Sequence, residues 1–144
     1  MRRIEIGGLD GGLAAALATA GLPPVEPAAG TQHYLRFDGD DGRILGYGGL
    51  ELYGEAALLR SLVVLPQHRG RGHGRAIALA LLADARARGA RRAFLLTTTA
   101  APLFERLGFR PLARSDAPPA IAASGEFARL CPASAVLMTR ATDG

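Results

Sequence analysis

Runs of apolar residues alternate with short polar punctuation along the chain, and the period of each run predicts its secondary structure. RRIEI, near the N-terminus, reads as a short strand, and Asp10 stands as the N-cap of a helix over GGLAAALATA that Gly21 closes before Pro23 and Pro24. After a loop to about Thr31, HYLRFDGDDGRILGYGGLELYG predicts two strands about a DGDDG turn, a β-hairpin. EAALLRSLVVL is long, apolar and rich in branched residues, so it reads as a central strand that Pro66 ends. From His73, GRAIALALLADARARG turns helical, apolar nearly all round until Asp84 and closed by Gly89, as befits a helix packed on a sheet. RRAFLLTTT predicts a buried strand, APLFERLG a short helix with Gly108 as its C-cap, FRPLAR a strand, PPAIAASGEFARL a helical stretch and SAVLMTR a last strand. The order β-α-β-β-β-α-β-α-β-(α)-β describes one α/β domain over residues 1–144 with a mixed sheet.

Length and composition agree with that picture. A chain of 144 residues, 49% hydrophobic and 21% charged, can bury about two-thirds of its unfolded surface and needs no staples. The net charge of +4 invites a nucleic-acid reading. Yet all 17 basic residues are arginine, scattered from Arg2 to Arg140 among acids such as Asp84 and Glu105, with no basic tract. One cysteine, Cys131, rules out an internal disulfide and a multi-thiolate zinc site and fits a reducing compartment. With no signal-peptide core at the N-terminus and no apolar run of spanning length, a cytoplasmic protein without membrane or nucleic-acid partners is expected.

The densest chemistry lies in QHRGRGHG, residues 67 to 74, between the predicted central strand and the apolar helix. A strand-to-helix junction presents unpaired N–H groups and the positive end of the helix dipole, and glycines at 70, 72 and 74 let backbone approach an anion. The stretch is neither a P-loop nor a dinucleotide fingerprint, because it lacks both spacings. A plain tight turn that needs glycine is the alternative.

Positions 62 to 76, LVVLPQHRGRGHGRA, resemble the acetyl-CoA-binding segment of the GNAT family of N-acetyltransferases, whose R/Q-x-x-G-x-G/A pattern is met by Arg69, Gly72 and Gly74. LFERLGF, 103 to 109, resembles the family's helix-turn-strand signature. The resemblance implies a mixed, mostly antiparallel central sheet flanked by helices, with acetyl-CoA as cosubstrate, no metal, and a small-molecule amine as acceptor. It implies that the backbone of Leu62, Val63 and Val64 pairs with the pantetheine arm. It also implies that amides from Gly70, Arg71, Gly72, His73, Gly74 and Arg75 hold the pyrophosphate, with Arg69, Thr98 and Phe104 beside the cofactor. A backbone N–H near Val63 or Val64 would polarise the thioester carbonyl.

The remaining chemistry has less familiar parts. The family's usual acid is a tyrosine where this chain has Phe104, which leaves water, Thr97, Thr98, Thr99 or Tyr53 to protonate the thiolate, or no acid at all. Glu51 is the expected base or ammonium ligand, with an ordinary exposed strand position as its alternative. Arg60, set in an apolar strand, is expected either to clamp a substrate carboxylate or oxyanion or to pair with Glu51 or Glu55. The tail from Ser115 to Met138, with GLELYGEAALLRSLVV and LLTTTA, resembles the small acetyltransferases associated with bacterial arsenic resistance, which implies an amino-acid-like toxin as acceptor. Cys131 reads as a small buried residue and not an arsenic ligand. His33, His68 and His73 lack ligand spacing and are expected in solvent. A catalytically weak acetyl-CoA-binding regulator and, further off, a nucleic-acid module are the rival readings, and the C-terminal strand could pair with a second copy in a homodimer.

Overall fold

The computed structural model describes residues 1–143. Strands β1 (Arg2–Ile6), β2 (Thr31–Asp38), β3 (Ile44–Tyr53), β4 (Ala56–Val64), β5 (Arg92–Thr97), β6 (Arg110–Pro111) and β7 (Val136–Ala141) form one sheet in the order β1-β2-β3-β4-β5-β7-β6. Every pairing is antiparallel except β4 with β5. This is the mixed, mostly antiparallel α/β sheet the sequence predicts, with β4 at its centre.

Helices cover both faces. Helix α1 (Gly11–Ala20) starts where the Asp10 side chain accepts the Leu13 N–H at 3.0 Å, a cap worth about 1 kcal/mol. It lays Leu13 and Leu17 on Tyr34, Tyr47 and Val63. On the other face α2 (His73–Ala87) packs Ile77, Leu81 and Leu82 against Leu35, Phe37, Leu50 and Leu59, the largest core of the molecule. A third cluster joins Leu58, Phe94 and Leu137 to Ile121 of the short helix α4 (Pro119–Ala122), which brings the C-terminal tail over the α1 face of the sheet.

Two predicted elements shrink for local reasons. FRPLAR keeps only Arg110–Pro111 as β6, because proline has no N–H for the ladder. The helical stretch over PPAIAASGEFARL breaks into α4 and a π-turn at Glu126–Leu130. Ser124 sits at the break: its hydroxyl donates to the Ile121 carbonyl at 2.7 Å and accepts the Phe127 N–H at 3.3 Å, competing with the helical ladder.

An irregularity in β4 decides the geometry of everything that follows. Among the described residues Ser61 is the one non-glycine with positive φ, at 57°, and the β3–β4 register slips there, so that Tyr47 faces Val63 but Gly49 faces Arg60. An extra residue in a strand reverses the parity of its side chains. Arg60 therefore shares its face with Leu58, while Val63 takes up that same face beyond the bulge.

Candidate active site

Strand β5 pairs with β4 at only three positions, Ala56, Ala57 and Leu58 opposite Arg92, Ala93 and Phe94. Beyond these the two strands no longer pair with each other, though β4 keeps its ladder with β3 and β5 its ladder with β7. They diverge around a cleft of about 690 Å³ whose wall includes Arg60 to Val64, Leu95 to Ala100 and Phe104. Leu22 and Pro23 after α1 close one side, and Glu126, Cys131 and Pro132 of the tail close another. The bulge at Ser61 lies where the strands part, and about 13 Å of β4 separates Arg60 from Val64 at 3.3 Å per residue.

At the far end of β4 the loop Arg69–Gly72 leads into α2. Gly70 and Gly72 hold φ of 79° and 80°, the left-handed region that glycine enters without a Cβ penalty. Helix α2 begins with no side-chain cap. Among the described residues no backbone or side-chain acceptor is found for the amides of Gly70 to Arg75, so one helix N-terminus and its loop offer a row of free donors. A Cβ on Gly74 would meet Val64 and Leu103 at ordinary distance, 3.7 Å, so the fold itself does not require glycine there. Its open side faces the cleft.

The sequence-predicted residues divide accordingly. Leu62, Val63, Val64, Arg69, Gly74, Thr98 and Phe104 line the cleft, and Gly70, Arg71, Gly72, His73 and Arg75 make the loop and first turn outside its wall. Val63 needs a correction. Leu65 donates to the Leu45 carbonyl at 2.9 Å, and strand alternation then turns the Val63 amide toward Tyr47 on β3. The backbone groups of Val64 face the cleft, where the Val64 carbonyl accepts Arg69 Nε at 3.2 Å. Val64, not Val63, is thus placed to offer its N–H to a bound carbonyl.

Behind the bulge stands a buried charge cluster. Arg60 is 4% exposed and Glu51 1%. Arg60 Nη1 donates to Glu51 Oε2 at 2.8 Å, Nη2 to the Pro24 carbonyl at 2.8 Å, and Nε to Ser61 Oγ at 3.1 Å. The other Glu51 oxygen accepts from the Tyr53 hydroxyl. Both expectations for Glu51 are overturned: it is neither exposed nor available as a base, because it is buried behind the cleft wall with both oxygens engaged. Arg60 takes the ion-pair alternative, its guanidinium committed on three sides. Tyr53 is equally removed as an acid, since burial and the neighbouring Glu51 raise its pKa.

Glu126, which sequence reasoning missed, completes the cluster from the tail. It is 4% exposed and lines the cleft. Burial, partly offset by Arg60, pushes its carboxyl from 4.5 up to about 7. Beside it, burial first and Glu126 second push the Cys131 thiol up to about 12, so the thiol stays protonated. An acid alone in the apolar run AIAASGEFARL was the available signal.

The raised Glu126 carboxyl predicts a pH dependence of stability. Between about 4.5 and 7 the folded chain holds a proton that the unfolded chain has released, so stability falls as pH rises through that window. The ionised group costs the fold on the order of 3 kcal/mol above it. Urea unfolding at pH 5 and pH 8 is expected to show the loss in the native chain and a flatter response in Glu126→Gln.

Of the remaining candidates, Phe104 is buried edge-on against Phe109, with ring centroids 5.6 Å apart, and presents only carbon to the cleft. Thr97 Oγ1 accepts the Ala100 N–H at 2.9 Å and keeps its own proton to donate. All three histidines depart from the solvent-exposed expectation: His68 is 8% exposed beneath the loop, His73 is half-buried at the start of α2, and His33 lies half-buried on β2 within reach of Glu5 and Arg88. Among the described residues no group of three or more His, Cys, Asp and Glu is gathered as a metal site, and no helix is long and apolar enough to cross a membrane.

Comparison with known proteins agrees with this geometry. The family model described as acetyltransferase (GNAT) domain matches residues 30–111, more than half of the chain. No functionally curated protein matches the sequence. Among solved structures, Rv2747 from Mycobacterium tuberculosis in complex with CoA and NLQ superimposes with a TM-score of 0.77 at 18% identity, covering 98% of this chain and 99% of that one. A candidate acyl-CoA N-acyltransferase from Klebsiella pneumoniae gives 0.72 at 24% identity, covering 98% and 97%. N-acetylglutamate synthase from Neisseria gonorrhoeae, complexed with coenzyme A and N-acetyl-glutamate, gives 0.76 at 18% identity. The chain is wholly covered there but spans only 36% of the synthase.

Proposed function

Because the chain belongs to the GNAT family of acetyltransferases, we propose that it transfers the acetyl group of acetyl-CoA to the amine of a small molecule. The observation that carries this reading is the splayed β4–β5 junction ending in a row of unpartnered amides. Amides from Gly70 to Arg75 fit a pyrophosphate, and the left-handed glycines hold them in one concave run. An amide-rich pantetheine arm extends β4 as an added strand would, using the cleft-facing backbone of Val64 and its neighbour Leu62. The arm runs from the glycine loop toward the bulge, so its thioester lies past Val64, where the Leu62 N–H polarises the carbonyl as charge builds on its oxygen. Arg69, Thr98 and Phe104 flank the same space.

Phe104 gives no proton, so the departing thiolate takes one from water or a hydroxyl such as that of Thr97; a thiolate leaves readily enough near neutral pH for this to suffice. The same phenylalanine favours a second reading, an acetyl-CoA-binding regulator with little turnover. Arg60, satisfied by Glu51, does not supply a carboxylate clamp, so an amino-acid-like toxin of the arsenic-resistance kind rests on the tail resemblance alone.

Free-thiol release from acetyl-CoA decides between these readings when followed across simple amines, amino acids, phosphinyl and arsenical amino acids, polyamines and peptides. Amine-dependent release is expected, in step with N-acetyl product. Tight CoA binding without release for any amine would leave the regulator, and steeply salt-dependent DNA or RNA binding without CoA binding would favour the nucleic-acid module.

A further inference from the structure

Glu126 lies on the cleft wall beside the bulge and, unlike Arg60, whose guanidinium is taken up by Glu51, Pro24 and Ser61, it carries an oxygen that neither the fold nor the transfer chemistry above uses. Its Oε1 accepts the Cys131 thiol at 3.8 Å. Its Oε2 is buried, with no hydrogen-bond donor among the described residues. The nearest cation, Arg60 Nε, stands 3.8 Å away, too far to donate, and is already directed at Ser61 Oγ. A buried carboxylate oxygen left without a donor is costly, and the rest of the cluster shows that this fold otherwise meets such needs: Tyr53 and Arg60 serve both oxygens of Glu51.

The missing donor has a definable character. Glu51 and Glu126 together outweigh Arg60 by one negative charge when both are ionised, so Glu126 Oε2 favours a cation that brings N–H groups. Glu126 Oε2 adjoins Ser61, near where the strands part, at the end of the cleft away from the amides that fit the pyrophosphate. On the acetyltransferase reading, that is the end at which an acceptor meets the thioester.

We propose that Glu126 Oε2 binds the ammonium group of a cationic primary amine and accepts its proton. This rests on the acetyltransferase reading and assigns its base. The carboxylate takes one proton from R–NH3⁺, and the freed lone pair attacks the carbonyl carbon of acetyl-CoA. The C–S bond breaks as the amide C–N bond forms, the second nitrogen proton passes to the thiolate by way of water or the Thr97 hydroxyl, and Glu126 returns its proton to solvent. Arg60 and Glu51 from β4 and β3, Tyr34 from β2, and Cys131 from the tail are the charged and titratable groups that face Glu126. Tyr34, raised to about 12 chiefly by burial, and Cys131 hold their protons throughout, so neither competes for the one transferred. A carboxyl titrating near 7 is ionised often enough to bind the ammonium yet basic enough to take its proton.

The test uses the full chain, acetyl-CoA and n-butylamine as the probe amine. Native kcat/KM is expected to rise to about pH 7 and then stay level until the amine itself deprotonates. Glu126→Gln is expected to lose about a hundredfold at pH 7.5 and to rise tenfold per pH unit with no plateau, because it can use only free amine. Equal CoA affinity of the two proteins by calorimetry shows that the variant is folded. The acceptor-independent measurement is the Glu126 side-chain carboxyl carbon resonance, assigned by its loss in the variant. It should titrate near pH 7 in the CoA-loaded chain and move when n-butylamine is added. A variant within threefold of native kcat/KM with an unchanged pH profile overturns the proposal. So does a Glu126 that titrates in the ordinary carboxylate range or ignores the amine. A native chain that binds no CoA overturns the acetyltransferase reading itself.

Discussion

Replacing Arg60 by alanine is expected to lower the free energy of unfolding by about 3–5 kcal/mol, the cost of leaving buried charge uncompensated. Its guanidinium is the only cation within 4.0 Å of Glu51 or Glu126 among the described residues. It also ties the Pro24 carbonyl, and so the loop after α1, to the centre of the sheet. Removal leaves two carboxylates, 1% and 4% exposed, without their shared cation, and it takes away the neighbour that holds the Glu126 carboxyl down, so that group moves further up. The double variant Arg60→Ala with Glu51→Gln should recover part of the loss, because one uncompensated charge is gone. Urea unfolding of the four proteins of that cycle measures the coupling directly. A loss below about 1 kcal/mol for Arg60→Ala would mean that the cluster opens to solvent and that its burial does not set the chemistry of Glu126.

Gly72→Val is expected to weaken CoA binding by about a hundredfold or more while leaving the fold intact. At φ 80° a β-branched residue is strained by about 1–3 kcal/mol, and an exposed loop relieves that strain by turning its backbone. The turn redirects the amides on either side. Losing two hydrogen bonds to a phosphate, at about 1.5–3 kcal/mol each, accounts for the affinity drop. Gly74→Ala separates the two uses of glycine. Its Cβ meets only ordinary contacts within the protein, so thermal stability should hold, but the added methyl stands in the cleft wall and should reduce affinity less severely. Calorimetric titration with CoA gives both values, and native affinity in Gly72→Val would remove the loop from the binding site.

Much of this arrangement was legible in the chain because it follows from local rules. Asp10, Gly21, Pro66 and the apolar run of β4 each mark a boundary through backbone chemistry that acts within a few residues. The glycine loop was legible for the same reason. What escaped was non-local. Nothing about serine announces a positive φ, so the bulge at Ser61, and with it the turning of Val63 toward β3, depends on how β3 and β5 pull on β4. Glu51 was misjudged because its burial is set by Arg60 nine residues on and by a tail that folds back over the sheet. Glu126 was missed because that tail, broken at Ser124, has no period that aims its acid at a strand more than sixty residues earlier.

The central claim is that the amides of residues 70 to 75 and the cleft side of β4 hold acetyl-CoA. Amide-resolved NMR of the full chain during titration with CoA tests it most directly. The account predicts large, saturable shifts at the Gly70 to Arg75 amides and at Val64, with Val63 little changed because its N–H is held by β3. Saturable binding that leaves Gly70 to Arg75 unmoved, or that perturbs Val63 and not Val64, would contradict it.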